Sequence, residues 1–130
     1  EVSVVLSGMS AMAHVEENLR LADSAPMLTA AEVELVGRAR DRYREIRPVP
    51  CTQCEYCMPC PHGVAIPKVF RIYNDGIAFN NADRARRLHA RIDGGGNSLA
   101  CIQCRECEPK CPQSIEISAW MPRIAEELKA

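Results

Sequence analysis

Eight cysteines are the residues in this sequence whose type and spacing most clearly suggest chemistry, and all of them lie in two short segments. The first cysteine segment contains Cys51, Cys54, Cys57 and Cys60, and the second contains Cys101, Cys104, Cys107 and Cys111. A disulfide framework joins distant parts of a chain, whereas cysteines spaced this closely converge on one centre. The spacing predicts a metal or inorganic-cluster site in a reducing compartment, and we expect a cytoplasmic protein.

The second cysteine segment has the spacing C-x2-C-x2-C-x3-C-P, which is typical of bacterial [4Fe–4S] proteins. In two-cluster ferredoxins the fourth cysteine of such a run ligates the other cluster. The first segment departs from the pattern, because only Met58 and Pro59 separate its last two cysteines. We nevertheless predict two [4Fe–4S] clusters with crossed ligands. One set is Cys51, Cys54, Cys57 and Cys111, and the other is Cys101, Cys104, Cys107 and Cys60.

Other cysteine chemistries fit the sequence less well. Zinc sites also use C-x2-C pairs, but zinc ribbons separate the two pairs by a longer stretch. A c-type haem needs C-x-x-C-H, whereas His62 stands two residues after Cys60. A zinc-stabilised interaction module is kept as the alternative from another class. Clusters that only support the fold are a further alternative.

No acid–base or nucleophilic pair stands beside the cysteine motifs, so no catalytic residue is predicted. The three histidines are interpreted as solvated or loop residues rather than ligands: His14, His62 and His89. A basic run between the motifs is interpreted as a solvated face, with docking of an acidic redox partner as the alternative. This run consists of Arg84, Arg86, Arg87 and Arg91.

The two cysteine segments belong to an internal repeat. Residues 51–67 and 101–118 match in Cys, Gln, Cys, Cys, Pro, Cys and Pro, with one extra residue before the fourth cysteine of the second copy. Each copy continues with two spaced aliphatic residues ahead of a predicted helix. The repeat therefore predicts two similar sites related by a pseudo-two-fold axis.

The remaining pattern predicts a mostly α fold with one short buried strand over residues 2–6. Helices are predicted over 11–23 with Ser10 as N-cap, from about 29 to 46, from Pro67 onward, over 82–92 and over 118–129. Thr29 and Glu32 fit a capping box. Gly94, Gly95 and Gly96 predict a hinge. The predicted core comprises Ile66, Val69, Phe70, Ile72, Leu88, Ile115, Ile117 and Ile124, together with Trp120 and Met121.

Charge and hydropathy exclude two classes of partner. Sixteen Lys and Arg residues face seventeen Asp and Glu residues, so the chain lacks the basic excess of a general nucleic-acid or membrane-surface binder. No apolar run approaches the roughly 18 residues that span a bilayer, and the first residues do not form a signal peptide. We therefore expect neither a nucleic acid nor a membrane as partner.

The cysteine half resembles the α-helical ferredoxins of fumarate-reductase-like iron–sulfur subunits. The whole chain also resembles the C-terminal part of iron–sulfur-containing aldo/keto reductases. Residues 2–23, VSVVLSGMSAMAHVEENLRLAD, are similar to the last barrel strand and its helix, and residues 51–75 are similar to the start of the appended ferredoxin domain. The resemblance implies a strand–helix remnant of a (β/α)8 barrel over 1–47 and an α-helical ferredoxin-like domain over 48–130.

The resemblance also implies a nucleotide loop that would function only in the full-length parent. In that family the strand-to-helix loop binds the phosphate of NADP(H). The residues implied are Ser7, Gly8, Met9 and Ser10 near the phosphate, with Glu17 and Asn18 near the adenine. A glycine loop at a helix N-terminus offers free N–H groups to an anion. For this chain by itself, a simple helix cap at Ser10 is the preferred interpretation.

The function implied is electron transfer through two [4Fe–4S] clusters, as the C-terminal domain of an NAD(P)-dependent aldo/keto reductase-like oxidoreductase. The family's catalytic Asp, Tyr, Lys and His lie earlier in the barrel, so this chain alone is not expected to reduce carbonyls. The implied partners are the rest of the parent barrel and a redox protein or carrier. A freestanding ferredoxin-like subunit of a larger reductase is the alternative.

Overall fold

A computed structural model of the chain describes residues 4, 6–24, 27–92, 94 and 96–129. Five α-helices follow one another: α1 (Met12–Ser24), α2 (Ala30–Ile46), α3 (Ile66–Ala78), α4 (Ala82–Ala90) and α5 (Ile117–Glu127). The described residues contain no strand, so the predicted mostly α class is confirmed. The predicted strand over 2–6 falls mainly outside the described residues, and its described members, Val4 and Leu6, are not in a strand.

The chain divides into two compact units, Glu1–Gly37 and Arg38–Ala130. In the first unit, α1 begins at Met12, one residue later than predicted. The predicted capping box is confirmed at the start of α2. There the Thr29 N–H donates to the Glu32 carboxylate at 2.8 Å, and the Glu32 N–H donates to the Thr29 hydroxyl at 3.3 Å. Neither α1 nor α2 contains a buried residue.

The second unit has a hydrophobic core built mainly from α3, α5 and the segments that lead into them. Most predicted core residues are buried as expected: Ile66, Val69, Phe70, Ile72, Ile115, Ile117, Met121 and Ile124. Leu88 was predicted wrongly, because it is 43% exposed, and Trp120 is only half-buried. α4 instead turns Ala85 and His89 inward, and these lie four residues apart on one helical face.

A polar contact also joins the middle of α3 to the end of α5. The Tyr73 hydroxyl donates to the Glu127 carboxylate at 2.7 Å, and the Tyr73 and Trp120 ring centroids are 5.9 Å apart. Burial raises the pKa of Tyr73 to about 12, and the hydrogen bond that its hydroxyl donates to the Glu127 carboxylate adds to this effect. The Tyr73 hydroxyl therefore remains a protonated donor, and the two helices stay joined at neutral pH.

Gly76 allows α3 and α4 to pack closely against each other. A Cβ at this position would stand 2.7 Å from the Cβ of Ala85, so only glycine allows the two helices to approach this closely. The turn between them is closed by the Asn81 N–H, which donates to the Gly76 carbonyl at 2.8 Å. The main effect of Gly76 is therefore to let α4 pack against α3.

Candidate metal centre

The eight cysteines line two separate cavities of similar size in the second unit. The first cavity is lined by Cys51, Cys54, Cys57 and Cys111 among other residues. The second cavity is lined by Cys60, Cys101, Cys104 and Cys107 among other residues. Each cavity thus takes three cysteines from one segment and one from the other. Ile66 and Ile117, the first residues of α3 and α5, line both cavities, so little protein lies between the two cavities.

Both cysteine segments curl around their cavities through the same backbone reversals. Gln53 and Glu55 have φ angles of 61° and 64°, and the equivalent Gln103 and Arg105 have φ angles of 60° and 66°. Left-handed backbone is uncommon outside glycine, and it persists only where the surrounding structure imposes it. The repetition of these four angles shows that both loops follow one path, as the sequence repeat predicted.

The glutamine shared by the two copies anchors each loop to the helix that follows it. Gln53 Nε2 donates to the Pro67 carbonyl at 2.9 Å, and Gln103 Nε2 donates to the Ser118 carbonyl at 3.1 Å. The second bond fills a gap, because Pro122 in α5 lacks the N–H that would bond to the carbonyl four residues earlier. The repeat had identified both glutamines without indicating this role.

A buried polar side chain holds the segment that enters each cysteine loop, and sequence reasoning missed both. Asn74 Nδ2 donates to the Val49 carbonyl at 2.8 Å, while the Val49 N–H donates to Asn74 Oδ1 at 3.2 Å. His89 Nε2 accepts the Ser98 N–H at 3.1 Å and lies 2.8 Å from the Ser98 hydroxyl. The prediction that His89 is solvated was therefore wrong, because it is 3% exposed. Burial lowers the pKa of His89.

We call the contacts of Asn74 with Val49 and of His89 with Ser98 the two clamps. The predicted glycine hinge lies shortly before Ser98 in the sequence, and a hydrogen bond fixes its last residue. Gly96 is buried, and its carbonyl accepts the Ala65 N–H at 2.8 Å. Gly94 has a φ of 68°, which suits glycine, whereas Gly95 lies outside the described residues. Gly96 therefore links the residues that precede the second cysteine segment to the residues that precede α3.

A carboxylate distinguishes the second cysteine segment from the first. Glu108 Oε1 accepts the Ser118 N–H at 2.9 Å and the Ser118 hydroxyl at 2.6 Å, which satisfies free donors in the first turn of α5. These hydrogen bonds lower the pKa of Glu108. The first segment has Met58 at the matching position, and α3 has Pro67 where α5 has Ser118. No equivalent cap is therefore possible in the first copy.

The thiols of the two cavities suit a positively charged, sulfur-binding group. Burial raises the pKa of Cys57, and it raises the pKa of Cys107 to about 11, with neighbouring thiols adding to both effects. Thiols gathered in this way lose their protons only beside a strong positive charge, and the iron ions of an iron–sulfur cluster supply that charge when the cluster is bound. All eight cysteines are free thiols. In the described part of the chain, no three His, Cys, Asp or Glu side chains are grouped closely enough for a single metal ion.

The residues implied for the nucleotide loop lie in the first unit and are brought together only in part. Asn18 Nδ2 donates to the Ser7 hydroxyl at 3.1 Å across the start of α1. The Ser10 N–H points to His14 Nδ1 at 3.5 Å, and α1 begins two residues after Ser10. Gly8, Met9, Ser10 and Glu17 are exposed. A role for these residues in binding NADP(H) stays a prediction.

Comparison with known proteins identifies the cysteine region. The profile of one family, described as the 4Fe-4S dicluster domain, matches residues 50–116, which is more than half of the chain. No curated protein and no solved structure matches the chain. Among the described residues, no helix is both long enough and apolar enough to span a bilayer. With eight cysteines in two cavities and this family match, the chain belongs to the 4Fe-4S dicluster domain family.

Proposed function

We propose that this chain conducts single electrons between two [4Fe–4S] clusters. When bound, such clusters supply reversible one-electron chemistry at potentials set by charge, hydrogen bonds and burial. The observation that carries the proposal is the pair of four-cysteine cavities, which share Ile66 and Ile117 as lining residues. Two redox centres separated by so little protein form a short path for electrons.

The crossed ligand sets are part of this proposal. Cys60 and Cys111 line the cavities of the opposite segments, which supports one cluster on Cys51, Cys54, Cys57 and Cys111 and the other on Cys101, Cys104, Cys107 and Cys60. The test compares Cys60→Ser with Cys111→Ser by iron content and electron paramagnetic resonance. Each variant should lose the cluster of the opposite segment and keep the other. Loss of the cluster in the variant's own segment would refute the crossing.

The electron-transfer function is tested on protein purified without oxygen. Iron and acid-labile sulfide should each reach about eight atoms per chain, as two four-iron clusters require. A spectroscopic redox titration should then show two reversible one-electron steps. Zinc in place of iron would support the interaction module instead. Full iron content without a reversible couple would assign the clusters to structural support.

We further propose that the parent is an NAD(P)-dependent aldo/keto reductase-like oxidoreductase, in a reducing compartment such as the cytoplasm. The support is the resemblance of residues 2–23 and 51–75 to that family, together with the absence of buried residues in α1 and α2. Apolar side chains on both helices, including Leu19 and Val36, are left exposed, so a barrel would give them a place to pack.

The sequence encoded upstream of residue 1 tests this parentage. It should contain the earlier barrel strands with the family's Asp, Tyr, Lys and His, and the complete protein should oxidise NADPH with a carbonyl substrate. A start codon directly before residue 1 would favour the freestanding ferredoxin-like subunit. That alternative has its own support, because the unit Arg38–Ala130 contains both cavities and the whole hydrophobic core.

A further inference from the structure

The beginning of the second unit is basic in a chain whose charges nearly balance. Residues 38–47 contain five arginines and two acidic residues, while the whole chain carries a formal net charge of −1. Two of these arginines are paired locally, Arg40 with Asp41 at 2.8 Å and Arg42 with Glu45 at 2.7 Å. The two arginines nearest the first cysteine segment are Arg44 and Arg47.

Arg44 and Arg47 line an open groove that reaches the first cysteine segment, where Cys51 and Gln53 form part of its wall. Arg47 is held in place by Tyr43: its Nη1 donates to the Tyr43 hydroxyl at 3.0 Å, and its Cζ lies 5.7 Å from the ring centroid. Arg44 is exposed, and neither arginine forms an ion pair with another described residue.

We propose that this groove docks a one-electron carrier protein whose redox centre is surrounded by acidic side chains. The proposal rests on the proposed electron-transfer function and adds the place of entry. Cations at the rim attract and orient an acidic surface. Electron transfer weakens steeply with distance, so contact beside a ligand cysteine is favourable. One electron leaves the carrier's reduced centre and enters this chain, with no bond made or broken and no proton transferred.

Two observations favour this occupant and this place. The groove is open, whereas sites for small ligands usually enclose most of the ligand's surface. Another basic surface, on α4, is lined by Arg86, Arg87 and Arg91 without any cysteine, and Arg86 is already paired with Asp83 at 2.8 Å. The α4 surface therefore offers arginines of the same charge away from a ligand. It provides a matched control.

The test measures binding of oxidised plant-type [2Fe–2S] ferredoxin, chosen as an acidic probe, to the cluster-loaded full chain. At about 0.01 M salt, where the Debye length is about 30 Å, we expect the double variant Arg44→Glu, Arg47→Glu to bind at least roughly tenfold more weakly. Replacement of both arginines by lysine should keep most of the affinity, because the charge is retained. The control Arg87→Glu, Arg91→Glu should bind as the unchanged protein does.

Equal weakening by the groove and α4 variants, or no weakening by either, would overturn the docking site. Binding of a short DNA duplex with the same arginine dependence would also overturn it, since the groove would then be a general polyanion site. Reduction by the small methyl viologen radical cation in about 1 M salt, where the Debye length is about 3 Å and surface charge is screened, separates this result from the proposed function. All variants should be reduced at one rate, whereas a chain that viologen cannot reduce would lack the electron-transfer function itself.

Discussion

The first half of the ferredoxin-like region, residues 49–78, and the second half, residues 98–127, repeat one backbone path with different polar side chains. Both have left-handed residues inside the cysteine segment and a glutamine bonded to the first turn of the next helix. Their entering segments are held differently, by Asn74 in the first half and by His89 from α4 in the second. Only the second half has a carboxylate cap on its helix.

This difference shows which features a duplicated cluster loop must keep and which it can replace. The cysteine spacing and the reversals decide where sulfur atoms lie, so both halves retain them. The clamps need only satisfy backbone groups away from water, and an amide or an imidazole can do so. The replacement has a consequence, because an imidazole titrates near neutral pH and an amide does not. The second half should therefore respond to pH and the first should not.

The largest expected effect comes from removing the clamp of the first half. Asn74→Leu keeps a similar volume but leaves the buried N–H of Val49 without a partner and its carbonyl with only the Cys51 N–H, at a cost of about 3 kcal/mol. Hydrogen exchange of the Val49 amide in the loaded protein measures the local free energy of opening. The Leu99 amide, in the second half, serves as the internal control. A loss of less than about 0.5 kcal/mol at Val49 would show that the clamp contributes little.

The second prediction uses pH to separate the two clamps. Because burial lowers the pKa of His89 below its ordinary 6.5, the unfolded chain binds the proton more readily than the folded one. The stability contribution of neutral His89 is fully present above pH 6.5 and is lost as the pH falls towards the lowered pKa. A protonated Nε2 also cannot accept the Ser98 N–H.

The measurement is the midpoint temperature of cluster loss between neutral and mildly acidic pH. His89→Gln, which does not titrate, should show a smaller decrease with acidification than the unchanged protein. Asn74→Leu should be less stable at every pH while keeping the full decrease. An identical pH response in His89→Gln and the unchanged protein would assign the acid sensitivity to other groups.

The third prediction compares the two glutamine anchors. Gln103→Ala should cost about 2 kcal/mol, because Pro122 deprives the Ser118 carbonyl of the usual donor four residues later in the helix. Gln53→Ala should cost about 1 kcal/mol or less, because Arg71, four residues after Pro67, retains its backbone N–H. The midpoint temperatures of cluster loss in the two variants provide the measurement. Equal costs would mean that the proline in α5 is irrelevant to the anchor.

The smallest effect is expected at the carboxylate of the second half. Glu108→Gln removes a negative charge that acts on Cys107, so adding an electron to the cluster of the second segment becomes easier. The potential of that cluster should rise by an amount on the order of tens of millivolts. The potential of the cluster of the first segment should change less. Redox titration measures both, with Glu106→Gln as the control, and a larger shift in the control would exclude a specific role for Glu108.

Local sequence determined much of what is observed. The cysteine spacing identified the chemistry, and helical periodicity with proline and capping signals located the helices to within a few residues. The capping box at Thr29 illustrates why this succeeds, since its hydrogen bonds join residues only three apart. Most of the predicted core was also correct, because apolar residues on one helical face have few alternatives to burial.

Tertiary structure alone decided which polar residues are buried. Asn74 reaches Val49 across 25 residues, and no local pattern distinguishes it from a surface asparagine. α4 buries His89 and exposes Leu88 because its orientation is imposed by close approach at Gly76. Burying a polar group costs free energy unless the group is hydrogen-bonded. The hydrogen-bond partners of Asn74 and His89 lie outside their own helices, so they are in place only once the chain has folded.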